Sequence, residues 1–139
     1  MIYYNFEDVD QADINTSLIG KWISAVLLSH ERLEKEISYI FCSDTYILDI
    51  NREYLNHDYF TDIITFDYCE GNLISGDIFI SLDTVRSNAK DYNTSFTEEL
   101  HRVIIHGILH LIGFKDKTLS EAQLMRQKEN DALLLLKTI

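Results

Sequence analysis

With 139 residues, 46% of them hydrophobic, the chain can bury one good core, so a single domain spanning residues 1–139 is expected. Twelve basic against 23 acidic side chains give a net charge of −11, so the field of the whole molecule repels nucleic acid rather than collecting it. The opening MIYYNFEDVD lacks the basic and apolar regions of a signal peptide, and no apolar run approaches the ~18 residues of a membrane span; a cytoplasmic protein with no membrane partner is expected. Ile2 to Phe6 reads as an edge strand. From Asn15 or Thr16, Leu18, Ile19, Trp22, Ile23, Val26 and Leu27 recur at helical spacing, which predicts an amphipathic helix packed on a sheet. Ile37, Tyr39 and Phe41 alternate with Ser38, Ile40 and Cys42 in a second strand, followed by a short helix from Ser43 toward Leu55. Strands are expected at Asp62 to Tyr68 and Leu73 to Ser81, and the linker Cys69-Glu70-Gly71-Asn72 predicts that they are antiparallel neighbours.

A polar helix carrying Val85 and Ala89 follows Ser81. Ser95-Phe96-Thr97-Glu98 has the form of a capping box and opens the next helix, which runs to Gly113. A last helix is expected from Ser120, with Gln123 completing a second box, and it presents Leu124, Met125, Ala132, Leu133, Leu135 and Leu136 as core. Cys42 and Cys69 lack Cys-x-x-Cys spacing, and in a reducing compartment they read as a buried thiol and a loop thiol.

The chemistry is concentrated in His106-Gly107-Ile108-Leu109-His110-Leu111-Ile112-Gly113-Phe114-Lys115-Asp116. Two histidines four apart on a helix share a face, so their imidazoles can converge on one divalent ion. Gly113 can reverse the chain, and Asp116 can then supply a carboxylate from the returning segment. Two nitrogens and one oxygen suit zinc and leave a position open for water, which such an ion acidifies into a nucleophile. The spacing follows the metzincin pattern H-E-x-x-H-x-x-G-x-x-H, with Gly107 standing where those proteases carry their glutamate base. Peptidase chemistry is therefore disfavoured. The general base is left to the metal hydroxide, to a phosphate oxygen or to a carboxylate from another segment.

The run HGILHLIGF resembles the signature of the YbeY family of metal-dependent single-strand endoribonucleases, H-G-x-L-H-L-x-G-[YF]-D-H. Three more segments resemble that family in the same order: Ile50-Asn51-Arg52-Glu53-Tyr54, Thr61-Asp62-Ile63-Ile64-Thr65-Phe66 and Gly76-Asp77-Ile78-Phe79-Ile80-Ser81. The resemblance implies an α+β, zincin-like fold, with a small mixed sheet of about four strands packed with helices and the metal on a central helix. It implies a zinc-dependent endoribonuclease of 16S rRNA 3′-end maturation and ribosome quality control, with ribosomal RNA, the small ribosomal subunit and a basic ribosomal protein as partners. His106, His110 and Asp116 take the metal-ligand positions, Asp116 standing where the family usually has histidine.

Leu55 stands where the family usually carries an arginine, and His57 or Arg52 is the candidate replacement contact to phosphate. Asp62 and Asp77 lie in matching segments, though aspartates flanking strands are usually caps or turn formers. Against the acidic balance, a local basic lip is expected from Lys115 and Lys117 with Arg86 and Lys90, or delivery by a basic partner. The alternative reading is a ribosome-assembly binding protein with a structural metal and weak or no catalysis.

Overall fold

In a computed structural model, which describes residues 1–59 and 61–139, strands and helices alternate and the chain closes on three helices. The elements are β1 (Ile2–Phe6), α1 (Thr16–Ser29), β2 (Leu33–Cys42), α2 (Asp44–Leu55), β3 (Ile63–Asp67), β4 (Leu73–Ser81), α3 (Leu82–Asp91), α4 (Phe96–Ile112) and α5 (Leu119–Leu136). The sheet order is β1-β2-β4-β3. β1 and β4 run parallel to β2, and β3 pairs antiparallel with β4, with Ile63 opposite Ile80. This is the expected mixed four-stranded sheet with helices packed on it.

Each expected helix start has a local cause. Asn15 accepts from the Leu18 amide at 3.1 Å and opens α1, whose Ile19, Trp22, Ile23 and Leu27 are fully buried. At about 1.5–3 kcal/mol per large side chain, that stripe supplies much of the drive to dock α1. The Trp22 indole N–H also donates to the carbonyl of Ala132 at 2.7 Å, tying α1 to α5. In β2 the alternation is direct: Ile37, Tyr39 and Phe41 are fully buried, and the Tyr39 hydroxyl donates to the Ile104 carbonyl of α4 at 2.9 Å.

Two glycines let the layers approach. A Cβ at Gly76 would lie 2.4 Å from the Phe66 carbonyl oxygen across the hairpin. At Gly107, in the middle of α4, a Cβ would meet Ile78 Cγ2 at 3.0 Å and Ile63 Cδ1 at 3.1 Å. At Gly107 the backbone of α4 therefore rests directly on the Ile63 and Ile78 side chains of β3 and β4. On the other side of the sheet Cys42, Ile47 and Ile64 form a smaller cluster, and burial with nearby carboxylates pushes the Cys42 thiol up to about 12. Cys69 is half-buried, the expected loop thiol.

The last helix begins earlier than expected. Thr118 is its N-cap and Glu121 completes the capping box, so Ser120 and Gln123 lie inside the first turns. Leu124 is 48% exposed rather than core, while Met125 and Ala132 are buried. Among the described residues, no helix is long and apolar enough to cross a membrane.

Candidate metal centre

α4 carries the two histidines because its ends are well defined. Ser95 Oγ accepts from the Glu98 amide at 3.1 Å. The return arm of the expected capping box does not form, since the Glu98 carboxylate accepts from the Thr94 hydroxyl instead. At the other end Gly113 has φ +123°, where a side chain would be strained. Its amide donates to the His110 carbonyl at 3.0 Å, and the Phe114 amide reaches back to Leu109 at 3.0 Å. The reversed chain brings Asp116 over the histidines. Its Oδ2 lies 3.3 Å from His106 Nε2 and 3.3 Å from His110 Nε2, and one ligand atom from each of the three residues lies within 4.8 Å of the others.

The opposite ring nitrogens are engaged. His110 Nδ1 donates to the Phe114 carbonyl at 3.0 Å, and His106 Nδ1 donates to Glu129 Oε2 of α5 at 2.7 Å. These partners assign the proton to Nδ1 in each neutral ring and leave both Nε2 lone pairs facing Asp116. Two imidazoles and a carboxylate so arranged form a donor set that fits zinc or a similar divalent ion.

Electrostatics around the centre come from buried carboxylates. Burial pulls the His106 imidazole down, but the hydrogen bond and charge of Glu129, with Asp116 and Asp62, outweigh it and its pKa is raised. Burial likewise pushes Glu129 up, yet hydrogen bonds from His106 and Arg102 hold it below its ordinary value. Asp62 is raised by burial; the His106 charge opposes that and the Asp116 charge adds to it.

The other expected residues divide. Asp62 precedes β3, next to Ile63, whose side chain packs on Gly107. Asp77 does not join the centre: its neighbours Gly76 and Ile78 face α4, so strand alternation turns Asp77 to the opposite side of the sheet. Arg52 is paired with Asp58 at 2.5 Å and Asp49 at 3.9 Å, so its charge is already compensated. His57 is exposed and stacks on Tyr59, with Nδ1 3.0 Å from the tyrosine hydroxyl. It is thus one ring of a stacked pair on the segment that follows Leu55.

Lys115 and Lys117 flank Asp116 and are exposed, as a lip requires. Arg86 is not part of it. Its guanidinium sits 5.0 Å over the Phe96 ring at the start of α4, about 15 Å along the helix from His106. Lys90 lies in the last turn of the same α3.

The residue that sequence reasoning missed is Glu129. It is 5% exposed and also accepts from Arg102 Nη1 at 2.9 Å, with Arg126 Nη1 at 3.7 Å. A signal was present: Met125, Glu129 and Ala132 are the buried positions of α5, and a carboxylate in such a stripe is costly unless paired.

The family profile described as Endoribonuclease YbeY matches residues 4–137. The chain belongs to the YbeY family. A YbeY endoribonuclease of Bacteroides fragilis is 54% identical over 136 residues, covering 98% of this chain and 98% of that protein. The YbeY of Parabacteroides distasonis is 56% identical over 135 residues, covering 97% and 95%. That of Flavobacterium johnsoniae is 54% identical over 135 residues, covering 97% and 96%. Among solved structures, TM1509 of Thermotoga maritima, determined in solution, superposes with a TM-score of 0.66 at 24% identity, over 99% of this chain and 93% of that one. At that identity the likeness speaks to the fold alone.

Proposed function

We propose that the chain is a zinc-dependent endoribonuclease that cuts single-stranded RNA in 16S rRNA 3′-end maturation and ribosome quality control, in the cytoplasm. The relatives are described as endoribonucleases. The observation that carries the metal dependence is the convergence of His106 Nε2, His110 Nε2 and Asp116 Oδ2, with each Nδ1 held by another partner. His106, His110 and Asp116 would hold the ion. When bound, it supplies positive charge to the scissile phosphate and acidifies water.

The chain's own groups do the rest. Glu129 fixes the His106 ring and Phe114 fixes the His110 ring, so neither imidazole has to reorganise during the reaction. Asp62 is the carboxylate from another segment that the missing glutamate requires. Held above its ordinary pKa by burial, it takes a proton at its carboxylate from the attacking water or 2′-hydroxyl. Gly107 cannot be that base, and the strand side chains packed on it leave no room for one. With a net charge of −11, the protein reaches ribosomal RNA through a basic ribosomal protein of the small subunit. Lys115 and Lys117 form the lip that meets the backbone.

The second reading, an assembly factor with a structural metal, draws on Leu55 and on the Arg52 charge already paired. One experiment separates the two. Purified protein loaded with one zinc per chain is incubated with labelled single-stranded and duplex RNA. The single strand is cut, the duplex is spared, and chelator or His110→Ala abolishes cleavage. Lys115→Glu with Lys117→Glu lowers cleavage at unchanged zinc content. If the zinc-loaded protein cuts no single-stranded RNA, the assembly-factor reading replaces the enzyme.

A further inference from the structure

Between the first half of α4 and the second half of α5 lies a cleft of about 800 Å³ that the reaction above does not use. It adjoins the metal centre through one shared residue: Arg102, on the cleft wall, and His106, in the centre, both donate to Glu129. Its size is that of a small-molecule site. Leu133, Leu136 and Tyr92 give it apolar sides, and Arg102, Arg126 and Lys137 line it with Glu98 and Glu99, Glu129 lying behind the two arginines.

Glu99 is the unexplained group. It is 6% exposed, it lines the cleft, and among the described residues its carboxylate has no hydrogen-bond or ion-pair partner. Burial raises its pKa, with the Arg102 charge opposing. Its oxygens are not sealed off, since Tyr4 Oη is the buried side-chain polar atom left without a partner among the described residues; a carboxylate that is otherwise buried therefore keeps its acceptors open to the cleft, where a ligand's donors can replace water. Two parallel N–H donors satisfy both oxygens at once. Among the RNA bases only guanine carries two adjacent N–H donors on its Watson–Crick edge, at N1 and N2.

We propose that this cleft binds an unpaired guanine nucleotide of the RNA, with Glu99 accepting from N1–H and the N2 amino group and Arg126 at the rim facing a phosphate. The base lies between the apolar sides, as splayed single-stranded bases do. Arg126 is suited to the rim because its side chain is 58% exposed and its contact to Glu129, at 3.7 Å, is longer than a hydrogen bond. The proposal rests on the endoribonuclease reading and adds a base preference to it.

The chain carries its own reporter. The single tryptophan, Trp22, stands edge-on to His101 at 5.8 Å between ring centroids, and His101 lines the cleft. In the full-length protein the one indole N–H resonance is followed during titration with GMP, AMP, CMP and UMP. GMP is expected to bind at least about tenfold more tightly than the other three. Glu99→Gln, which replaces one acceptor oxygen by a donor, erases that preference, and Arg126→Ala weakens all four alike.

Equal binding of the four nucleotides by the parent, or a preference that survives Glu99→Gln, overturns the proposal. So does an indole resonance that stays fixed at about 10 mM nucleotide but moves with a leucine-rich peptide, which would make the cleft a protein-docking site. RNA cleavage is measured on the same samples. Cleavage without guanine-selective binding sinks the cleft and leaves the endoribonuclease standing. Guanine-selective binding without cleavage supports the cleft and removes the enzyme.

Discussion

Glu129→Gln is the sharpest perturbation available at this centre, because it keeps the size of the side chain and changes only its hydrogen bonding. In the parent one carboxylate accepts from His106 Nδ1 at 2.7 Å and from Arg102 Nη1 at 2.9 Å. The glutamine carbonyl can keep the bond to His106, but its amide then points a donor at the Arg102 guanidinium. One charge-assisted hydrogen bond, about 1.5–3 kcal/mol, is lost. Arg102 is 24% exposed along its side chain, so water recovers part of it and about 2 kcal/mol is expected. For a chain of this size that lowers the melting temperature of the metal-free protein by about 6–10 °C. The looser ring also lowers zinc affinity, by about 10–100-fold for a lost outer hydrogen-bond partner, or about 1.4–2.7 kcal/mol. Zinc competition against a chromophoric chelator measures the second effect, and thermal melting in EDTA measures the first. A melting temperature that falls while zinc affinity stays within about twofold of the parent would show that Glu129 serves folding alone, and the orienting role would be refuted.

Asp116→Asn should weaken zinc by at least about tenfold while the metal-free melting temperature stays within a few degrees, since the Gly113 turn does not use that carboxylate; unchanged zinc affinity would remove Asp116 from the ligand set. Gly107→Ala should destabilise by about 1–3 kcal/mol in urea unfolding, because Ile78 and Ile63 must yield by a few tenths of an ångström. Gly107→Glu, which restores the metzincin sequence, should fail to fold rather than gain peptidase activity, and a folded peptidase would overturn the packing argument. Asp62 is raised by burial, so its folding advantage is complete below the ordinary carboxylate range and is lost as pH rises through its folded pKa. Asp62→Asn should therefore raise the metal-free melting temperature by about 2–4 °C at about pH 7 and by nothing at about pH 3. The same variant should slow RNA cleavage, and a variant that cleaves at the parent rate leaves Asp62 without a role in proton transfer.

Much of the fold was legible because periodicity and caps act locally. Trp22 and its neighbours announced α1, and the Gly71 turn, with φ +58°, announced the antiparallel hairpin. The start of α5 was misread because two overlapping segments satisfy the same capping pattern: Thr118 with Glu121, and Ser120 with Gln123. The charged glutamate complements the helix N-terminus better than glutamine, and the earlier box forms. The second arm expected at Ser95 was lost to Thr94, a hydroxyl one residue away that competes for Glu98. His106, His110 and Asp116 could be read because one helix and one turn determine their spacing. Glu129 and Glu99 could not be assigned, since their partners come from other elements. Even so, each stands among the buried positions of its helix, where a carboxylate already asks for an explanation. The cations were misplaced for a related reason: Arg86 found the Phe96 ring, a contact with no signature at fixed spacing.

Translation makes α4 before α5, and that order matters for a protein whose histidines share one helix. Until α5 docks, His106 Nδ1 has no acceptor, Arg102 has no carboxylate, and the Trp22 indole lacks the Ala132 carbonyl that ties α1 to the last helix. A growing chain thus carries His106, His110 and Asp116 before it carries Glu129, which holds the His106 ring. Domains fold as units once the elements they need have emerged, so the His106 ring is fixed only after α5 is made, and a chain that still lacks α5 holds that ring without the carboxylate that orients it.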